Sequence, residues 1–140
     1  MAANRTNRRI FLTGNGIGKN IILSIGFINQ KFYQMNDLIE ALKILWQYAK
    51  NQDDRWPTAC EHDILYVNKI DIKKMNAETV RKLAKLGFMP GIDSDYRTIA
   101  YNLGEDFASE GNYENITDEQ WDKIKNELYG AFWSYRYGSN

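Results

Sequence analysis

The sequence is poor in residue types that often supply chemistry or covalent stability: its 140 residues include one cysteine, one histidine and two prolines. A single cysteine cannot form an internal disulfide, so the chain suits a reducing compartment and we expect it in the cytoplasm. Cys60 and His62 also cannot complete the donor set of a zinc site by themselves. The sequence therefore predicts no metal site and no cofactor.

Long apolar runs are missing as well. The longest, Ile64 to Val67, is far shorter than the ~20 residues that a membrane-spanning helix requires. Arg5, Arg8 and Arg9 are followed by a short apolar stretch that is insufficient for the core of a signal peptide. We therefore expect no signal peptide and no membrane partner.

The chain has no net charge, because 18 basic and 18 acidic residues cancel. This balance argues against a protein whose main task is to grip polyanionic nucleic acid. The distribution is uneven, since acidic residues dominate between Asp93 and Glu119. Before position 20 the charged residues are all basic: Arg5, Arg8, Arg9 and Lys19. The sequence thus predicts a basic end and an acidic flank.

No motif matches a known catalytic or phosphate-binding pattern. The glycines before Lys19 resemble a phosphate-binding loop, but their spacing is one residue short and Asn20 replaces the Ser or Thr that binds magnesium. Asp93 and Asp95 resemble the start of a calcium loop that lacks its central glycine and its final glutamate. We therefore expect a non-enzymatic protein without catalytic residues.

Local patterns predict a mixture of strands and helices. Asn15-Gly16 favours a two-residue hairpin turn between strands at 9–13 and 17–25. The four apolar residues of Ile64–Val67 suit a central strand covered on both faces. The remaining predicted elements are a short strand at Lys31–Tyr33, helices capped by Asn36, Asn76 and Thr117, a polar loop at Asn51–Ala59, a strand at Tyr96–Leu103, an acidic loop at Gly104–Asn115 and a strand after Gly130.

Two of these helices carry several end signals. Asn76 is a favoured N-cap residue, and Gly87 suits the left-handed position that ends a helix. Thr117 and Gln120 have the spacing of a capping box, and Gly130 is expected to close that last helix.

The order of these elements predicts an α+β fold. We expect a single, mostly antiparallel twisted sheet of about four to five strands, with about three helices packed on one face in a two-layer sandwich. At the carboxyl end, Trp133, Tyr135 and Tyr137 alternate with other residues as in a strand. Because aromatic side chains gain much from burial, we expect this ribbon to lie in or beside the same sheet.

Three segments resemble a group of small uncharacterised proteins encoded by bacteriophages and prophages: the strand His62–Val67, the helix closure Leu86–Phe88 with Pro90, and the strand Trp133–Ser139. In the shorter members the aromatic strand follows soon after the helix closure, whereas about forty residues intervene here. The resemblance implies a phage context and an insertion at 92–130, made of the acidic loop and a capped helix. The length itself fits one domain over residues 1–140.

We expect a phage or mobile-element protein that binds a host or defence macromolecule and could inhibit it. An acidic flank can occupy a partner's nucleic-acid-binding groove, and a loop tryptophan beside an arginine has the composition of an interface hot spot. The candidate partner-binding residues are Arg55, Trp56, Glu105, Asp106, Glu110 and Glu114. The expected location is the host-cell cytoplasm, with incorporation into a virion left open.

A nucleic-acid- or nucleotide-binding module is the alternative function. It would use the basic residues of the amino-terminal hairpin, and the aromatic carboxyl-terminal strand would stack on bases. Those basic residues are Arg5, Arg8, Arg9 and Lys19. Salt-dependent binding to an oligonucleotide distinguishes this function from protein binding.

Overall fold

A computed structural model describes residues 35–138 of the chain. Apart from residues 35–37, these belong to one structural unit that spans Leu38–Asn140. The predicted hairpin at 9–13 and 17–25 and the predicted strand at Lys31–Tyr33 lie outside the described residues.

Four strands form an open antiparallel sheet within the described part of the chain. They are β1 (Thr58–Glu61), β2 (Ile64–Asn68), β3 (Met89–Pro90) and β4 (Ala131–Ser134). Their order across the sheet is β1-β2-β4-β3, and every neighbouring pair is antiparallel. The predicted strand at Ile64–Val67 is therefore an inner strand, as expected from its apolar run.

The other regular elements are helices, and their combination with the sheet confirms the predicted α+β class. Between residues 35 and 138 they are α1 (35–47), α2 (Ala77–Lys85), α3 (Tyr96–Leu103), α4 (Glu105–Glu110) and α5 (Asp118–Ile124). Short 3-10 turns occupy Ile72–Lys74, Asp93–Asp95 and Tyr113–Asn115. There are more helices than the sequence predicted because the segment from Asp93 to Asn115 is largely helical.

The predicted caps of two helices are confirmed. The Asn76 Oδ1 accepts a hydrogen bond from the Thr79 N–H at 2.8 Å. The Thr117 Oγ1 accepts from the Gln120 N–H at 3.1 Å, and the Gln120 side chain accepts from the Thr117 N–H at 2.9 Å. These bonds satisfy N–H groups that have no partner within the helix, so they fix where α2 and α5 begin.

The end of α2 also follows the sequence prediction. Gly87 has a φ of 100°, a conformation that is costly for residues with a Cβ atom. The Phe88 N–H donates to the Leu83 carbonyl at 2.9 Å, and the Gly87 N–H donates to the Ala84 carbonyl at 3.0 Å. This pair of bonds is the Schellman motif, and it turns the chain directly into β3.

The predicted start of α1 is wrong. Residue 35 is already helical, so Asn36 lies inside the helix and does not cap it. The buried residues of α1 are Ala41 and Leu45, whereas Leu42 and Trp46 are exposed. The core-facing stripe of α1 therefore runs through Ala41 and Leu45. Leu42 and Trp46, which the apolar periodicity of this segment predicts on the inner face, lie outside that stripe.

The predicted strand at Tyr96–Leu103 is also wrong, because this segment forms α3. Tyr, Thr and Ile favour strands on average, but this preference is weak and tertiary packing overrides it. Ile99 is buried and Leu103 packs against the core, a spacing of four residues that places both on one helical face. The predicted loop at Gly104–Asn115 instead contains α4 and a 3-10 turn.

A hairpin that the sequence did not predict joins β1 to β2. Thr58 pairs with Val67 and Glu61 with Ile64, so the connection is only His62-Asp63. Both residues have positive φ, 52° and 64°, as a type I′ turn requires. His and Asp tolerate this region better than most residues, but the pair is a weaker turn signal than Asn-Gly. The predicted polar loop consequently ends before Thr58.

Gly130 does not close α5, which ends at Ile124. Its role is a close approach of two backbone segments: the Ile70 N–H donates to the Gly130 carbonyl at 2.9 Å. A Cβ atom at position 130 would lie 2.7 Å from the Ile70 carbonyl oxygen, a separation that the backbone cannot relieve easily. Glycine is therefore required here for space.

The core lies on one face of the sheet. Val67 and Phe132 are cross-strand partners on this face, and both are buried. The segment from Ile92 to Gly130 contributes much of the same core through Ile99, Tyr113, Ile116, Trp121, Ile124 and Leu128. On the opposite face, Tyr66 and Trp133 are cross-strand partners and both are partly exposed.

Candidate functional site

A cleft of about 580 Å³ lies between the end of β4 and the helical segment that follows β3. Its walls combine aromatic side chains with carboxylates, and we call it the acidic aromatic cleft. The aromatic residues are Tyr96, Tyr113, Trp133 and Tyr135, and the charged ones are Asp93, Glu110, Glu114 and Arg136. Segments that are far apart in the sequence thus meet at one surface.

One wall is the aromatic ribbon at the end of β4. The rings of Trp133 and Tyr135 pack edge to face, with centroids 5.1 Å apart. Trp133 lies between Tyr66 on β2 and Met89 on β3 in the sheet register, so its position is fixed by the sheet. Tyr135 follows the strand and is 67% exposed, which leaves its ring available to a partner.

The opposite wall begins with Tyr96, the first residue of α3. Its hydroxyl donates to the Glu105 Oε2 at 3.3 Å and lies 3.0 Å from the Ser109 Oγ. These contacts tie α3 to α4. Tyr96 remains partly exposed, so its ring can contact a molecule in the cleft.

Tyr113 lies deeper in the cleft and is only 4% exposed. Its ring packs edge to face against Phe107, with centroids 5.2 Å apart. Burial raises the pKa of Tyr113 well above its usual range, and the nearby Asp95 carboxylate raises it further. The phenol therefore stays protonated, and Tyr113 does not serve as a base at neutral pH.

The cleft carries a net negative charge, because three carboxylates face one guanidinium. Asp93, Glu110 and Glu114 are exposed. Arg136 packs at the carboxyl end of α2, where a Cβ atom on Gly87 would lie 3.0 Å from its Nε. A cation in this position is favoured by the negative end of the helix dipole, so the arginine has a structural reason to be there.

The negative field extends onto the neighbouring sheet face. Asp93 also borders a concavity of about 320 Å³ that Glu61 and Tyr66 line. Burial raises the pKa of Tyr66, and the nearby carboxylates of Asp93 and Glu61 raise it further. Both the cleft and this adjoining surface therefore disfavour an additional negative charge.

The side chains of the cleft suit noncovalent recognition. Neither histidine nor cysteine lines it. Among residues 35–138, no group of three or more His, Cys, Asp or Glu side chains is placed to hold a metal ion. Aromatic faces and carboxylates are instead the groups that bind organic cations.

The structure places only some of the predicted partner-binding residues in the cleft. Glu110 and Glu114 line the acidic aromatic cleft. Glu105 lies behind its wall as the acceptor for Tyr96, and Asp106 is exposed in the first turn of α4. Arg55 and Trp56 do not line the cleft. The alternative nucleic-acid residues Arg5, Arg8, Arg9 and Lys19 lie outside the described residues.

Trp56 is 74% exposed in the loop before β1. The Asp54 Oδ1 accepts from the Trp56 N–H at 3.0 Å, and the Asp54 Oδ2 lies 3.0 Å from the Lys69 Nζ. These contacts anchor the loop to the residue that follows β2. The exposed tryptophan is thus a second surface, separate from the cleft.

We expect Asp54 to make the stability of the protein depend on pH in the acid range. The bond from the Trp56 N–H, followed by the Lys69 ammonium, lowers the pKa of Asp54 below its ordinary value of 3.8. A lowered folded pKa means that the carboxylate stabilises the fold above about pH 4, and that this contribution disappears as the pH falls through the folded pKa.

We expect Asp54→Asn to unfold at lower urea concentration than the wild type at neutral pH, with the difference shrinking in acid. Urea midpoints at several pH values test this, and a pH-independent difference would contradict it.

Sequence reasoning missed Tyr96, Tyr113 and Asp93 as parts of one site. Tyr96 was placed on a predicted strand, and Tyr113 in a predicted loop. The available signal was the run of acidic residues around them, from which Glu110 and Glu114 were predicted as partner-binding residues. Both of these residues line the same cleft. Asp93 and Tyr135 are far apart in the sequence and come together only in the folded chain. Their proximity could not be predicted from local patterns.

Comparisons with protein-family models, with curated proteins and with solved structures find no match. Within residues 35–138, no helix has the length and apolar character needed to cross a membrane. The function is therefore inferred from the cleft itself.

Proposed function

We propose that this is a non-enzymatic binding protein of a phage or mobile element, and that it docks a host or defence protein at the acidic aromatic cleft in the host cytoplasm. The observation that carries the proposal is the convergence of exposed aromatic rings and carboxylates in one concave surface. Aromatic residues that are partly exposed and fixed by their neighbours are typical anchors of protein interfaces. The resemblance to small phage and prophage proteins supports the phage context.

The charge of the cleft favours a protein partner over a nucleic acid. Trp133 and Tyr135 have the exposure needed to stack on bases. However, Asp93, Glu110 and Glu114 border the same surface, and carboxylates repel phosphates. Nucleic-acid binding through the basic residues before position 20 stays an alternative, and binding of an oligonucleotide by the full chain tests it.

The test of the proposed function compares two tyrosine variants in a pull-down from bacterial lysate treated with nuclease. Tyr135→Ala removes an exposed ring of the cleft, and Tyr101→Ala removes a ring that is 89% exposed on α3 outside the cleft. Truncation of a hot-spot aromatic residue costs about 2 kcal/mol or more, which corresponds to at least about thirtyfold weaker affinity. We therefore expect Tyr135→Ala to lose recovery of a specific protein that the wild type retains. Tyr101→Ala is expected to behave as the wild type.

Two results would contradict the proposal. In the first, the wild type repeatedly recovers no protein. In the second, Tyr135→Ala and Tyr101→Ala recover the same proteins in the same amounts, which would place the docking surface elsewhere.

A further inference from the structure

The acidic aromatic cleft has the chemistry of a cation-binding site. Trp133, Tyr135 and Tyr96 all line it. The face of an aromatic ring carries negative electrostatic potential and attracts ammonium and guanidinium groups. Asp93, Glu110 and Glu114 add formal negative charge around the same rings.

We propose that the occupant of this cleft is a basic peptide segment of the partner, with an arginine or lysine side chain seated among the three rings. This inference rests on the proposed function and specifies its ligand. Charge complementarity selects the occupant, because a cationic side chain can meet aromatic faces and carboxylates at once.

The positive charge of Arg136 does not remove the preference of the cleft for a cationic ligand. Its side chain packs against Gly87 at the carboxyl end of α2, where the helix dipole favours a cation. Three carboxylates still line the cleft against this one guanidinium. A second cation therefore enters a site with an excess of negative charge.

The size of the cleft also fits a peptide side chain with its flanking residues. A volume of about 580 Å³ falls within the roughly 300–1,000 Å³ of typical small-ligand sites. An acidic peptide or a nucleic acid would place like charges beside Glu110 and Glu114. A purely apolar segment would leave those carboxylates without a partner of opposite charge.

The carboxylates are exposed, so their attraction is screened by salt. We expect binding of a basic peptide to weaken as sodium chloride is raised from about 50 to 500 mM, because the screening length shortens to less than half over this range. The aromatic contribution changes little with salt. A residual affinity at high salt should therefore depend on Tyr135.

The experiment uses the full chain and a yeast-displayed library of random twelve-residue peptides. We expect the retained peptides to be enriched in arginine or lysine. A synthetic version of the strongest binder, in which citrulline replaces the key arginine or norleucine the key lysine, should bind at least about tenfold more weakly. This comparison removes the charge and preserves most of the side-chain shape.

Matched charge variants locate the effect in the cleft. Glu110→Gln with Glu114→Gln removes two carboxylates that line it, and we expect at least about tenfold weaker binding of the basic peptide. Glu119→Gln with Glu127→Gln changes the net charge equally at exposed positions outside the cleft. That control should bind within about twofold of the wild type, since distant exposed charges are screened.

The outcomes separate this inference from the proposed function. If the retained peptides are acidic or apolar and still require Tyr135, the basic ligand is wrong and docking at the cleft stands. The same holds if no peptide is retained while the lysate pull-down depends on Tyr135. If neither peptides nor lysate proteins distinguish Tyr135→Ala from Tyr101→Ala, both the ligand and the docking site are wrong.

Discussion

Trp121→Ala is expected to lower the free energy of unfolding by about 3–5 kcal/mol, the usual cost of truncating a buried large aromatic residue to alanine. Trp121 is 1% exposed. It lies in α5 and belongs to the same core cluster as Ile116, the residue before the Thr117 cap. Its loss would leave a cavity where α5 meets the rest of the core.

Trp121→Phe isolates the polar part of this interaction. The Trp121 Nε1–H donates to the Met75 carbonyl at 2.8 Å inside the core. Phenylalanine fills much of the space but leaves that carbonyl without its donor, at a cost of about 1–3 kcal/mol. We therefore expect Trp121→Phe to lie between the wild type and Trp121→Ala.

Trp56→Ala is the matched control for the tryptophan series, because the same truncation is made at an exposed side chain. A surface substitution of this kind usually changes stability by no more than about 0.5 kcal/mol. Chemical denaturation followed by far-ultraviolet circular dichroism measures all three variants. Equal losses for Trp56→Ala and Trp121→Ala would show that the assigned core is wrong.

Asp95→Ala is expected to cost about 3 kcal/mol, because it removes one acceptor from two backbone donors. The Asp95 Oδ2 accepts from the Ile92 N–H at 2.9 Å and from the Tyr129 N–H at 3.2 Å. Hydrogen bonds to charged groups each contribute about 1.5–3 kcal/mol. Since Asp95 is buried, water replaces these bonds poorly.

Asp95→Asn keeps an acceptor oxygen of similar position and loses the charge, so we expect a smaller destabilisation than for alanine. Asp93→Ala is the control, since Asp93 lies on the same turn and is exposed; its effect on stability should stay within about 0.5 kcal/mol. Urea denaturation at neutral pH compares the three variants. If Asp95→Asn and Asp95→Ala lower the free energy of unfolding equally, hydrogen bonds to the side-chain oxygen at position 95 do not account for its contribution to stability.

Asp95 also positions the candidate site. It joins the turn that carries Asp93 to the backbone just before β4, and β4 carries Trp133. The two walls of the acidic aromatic cleft are thus connected through one buried carboxylate. Loss of Asp95 should loosen the cleft as well as the fold.

Features set by neighbouring residues were predictable from the sequence. The caps at Asn76 and Thr117 and the ending at Gly87 depend on interactions within a few residues. The strand at Ile64–Val67 is indicated by its own short apolar run. The α+β class followed from the order of such elements.

Features set by long-range packing were not predictable in the same way. Tyr96–Leu103 has the composition of a strand, but Ile99 and Leu103 pack on the core only in a helix. Gly130 had the sequence position of a helix ending. Glycine is needed there because the backbone of Ile70, on another segment, leaves no room for a Cβ atom. The cleft likewise requires the sheet register that places Trp133 beside Met89.

Strand β4 and the residue that follows it alternate between the core and the cleft. Phe132 and Ser134 are buried, whereas Trp133 and Tyr135 line the cleft. Because successive side chains of a strand point to opposite faces, substitutions at Trp133 and Tyr135 leave the packing of Phe132 and Ser134 in place. The composition of this surface can therefore diverge between related chains while the architecture is inherited intact.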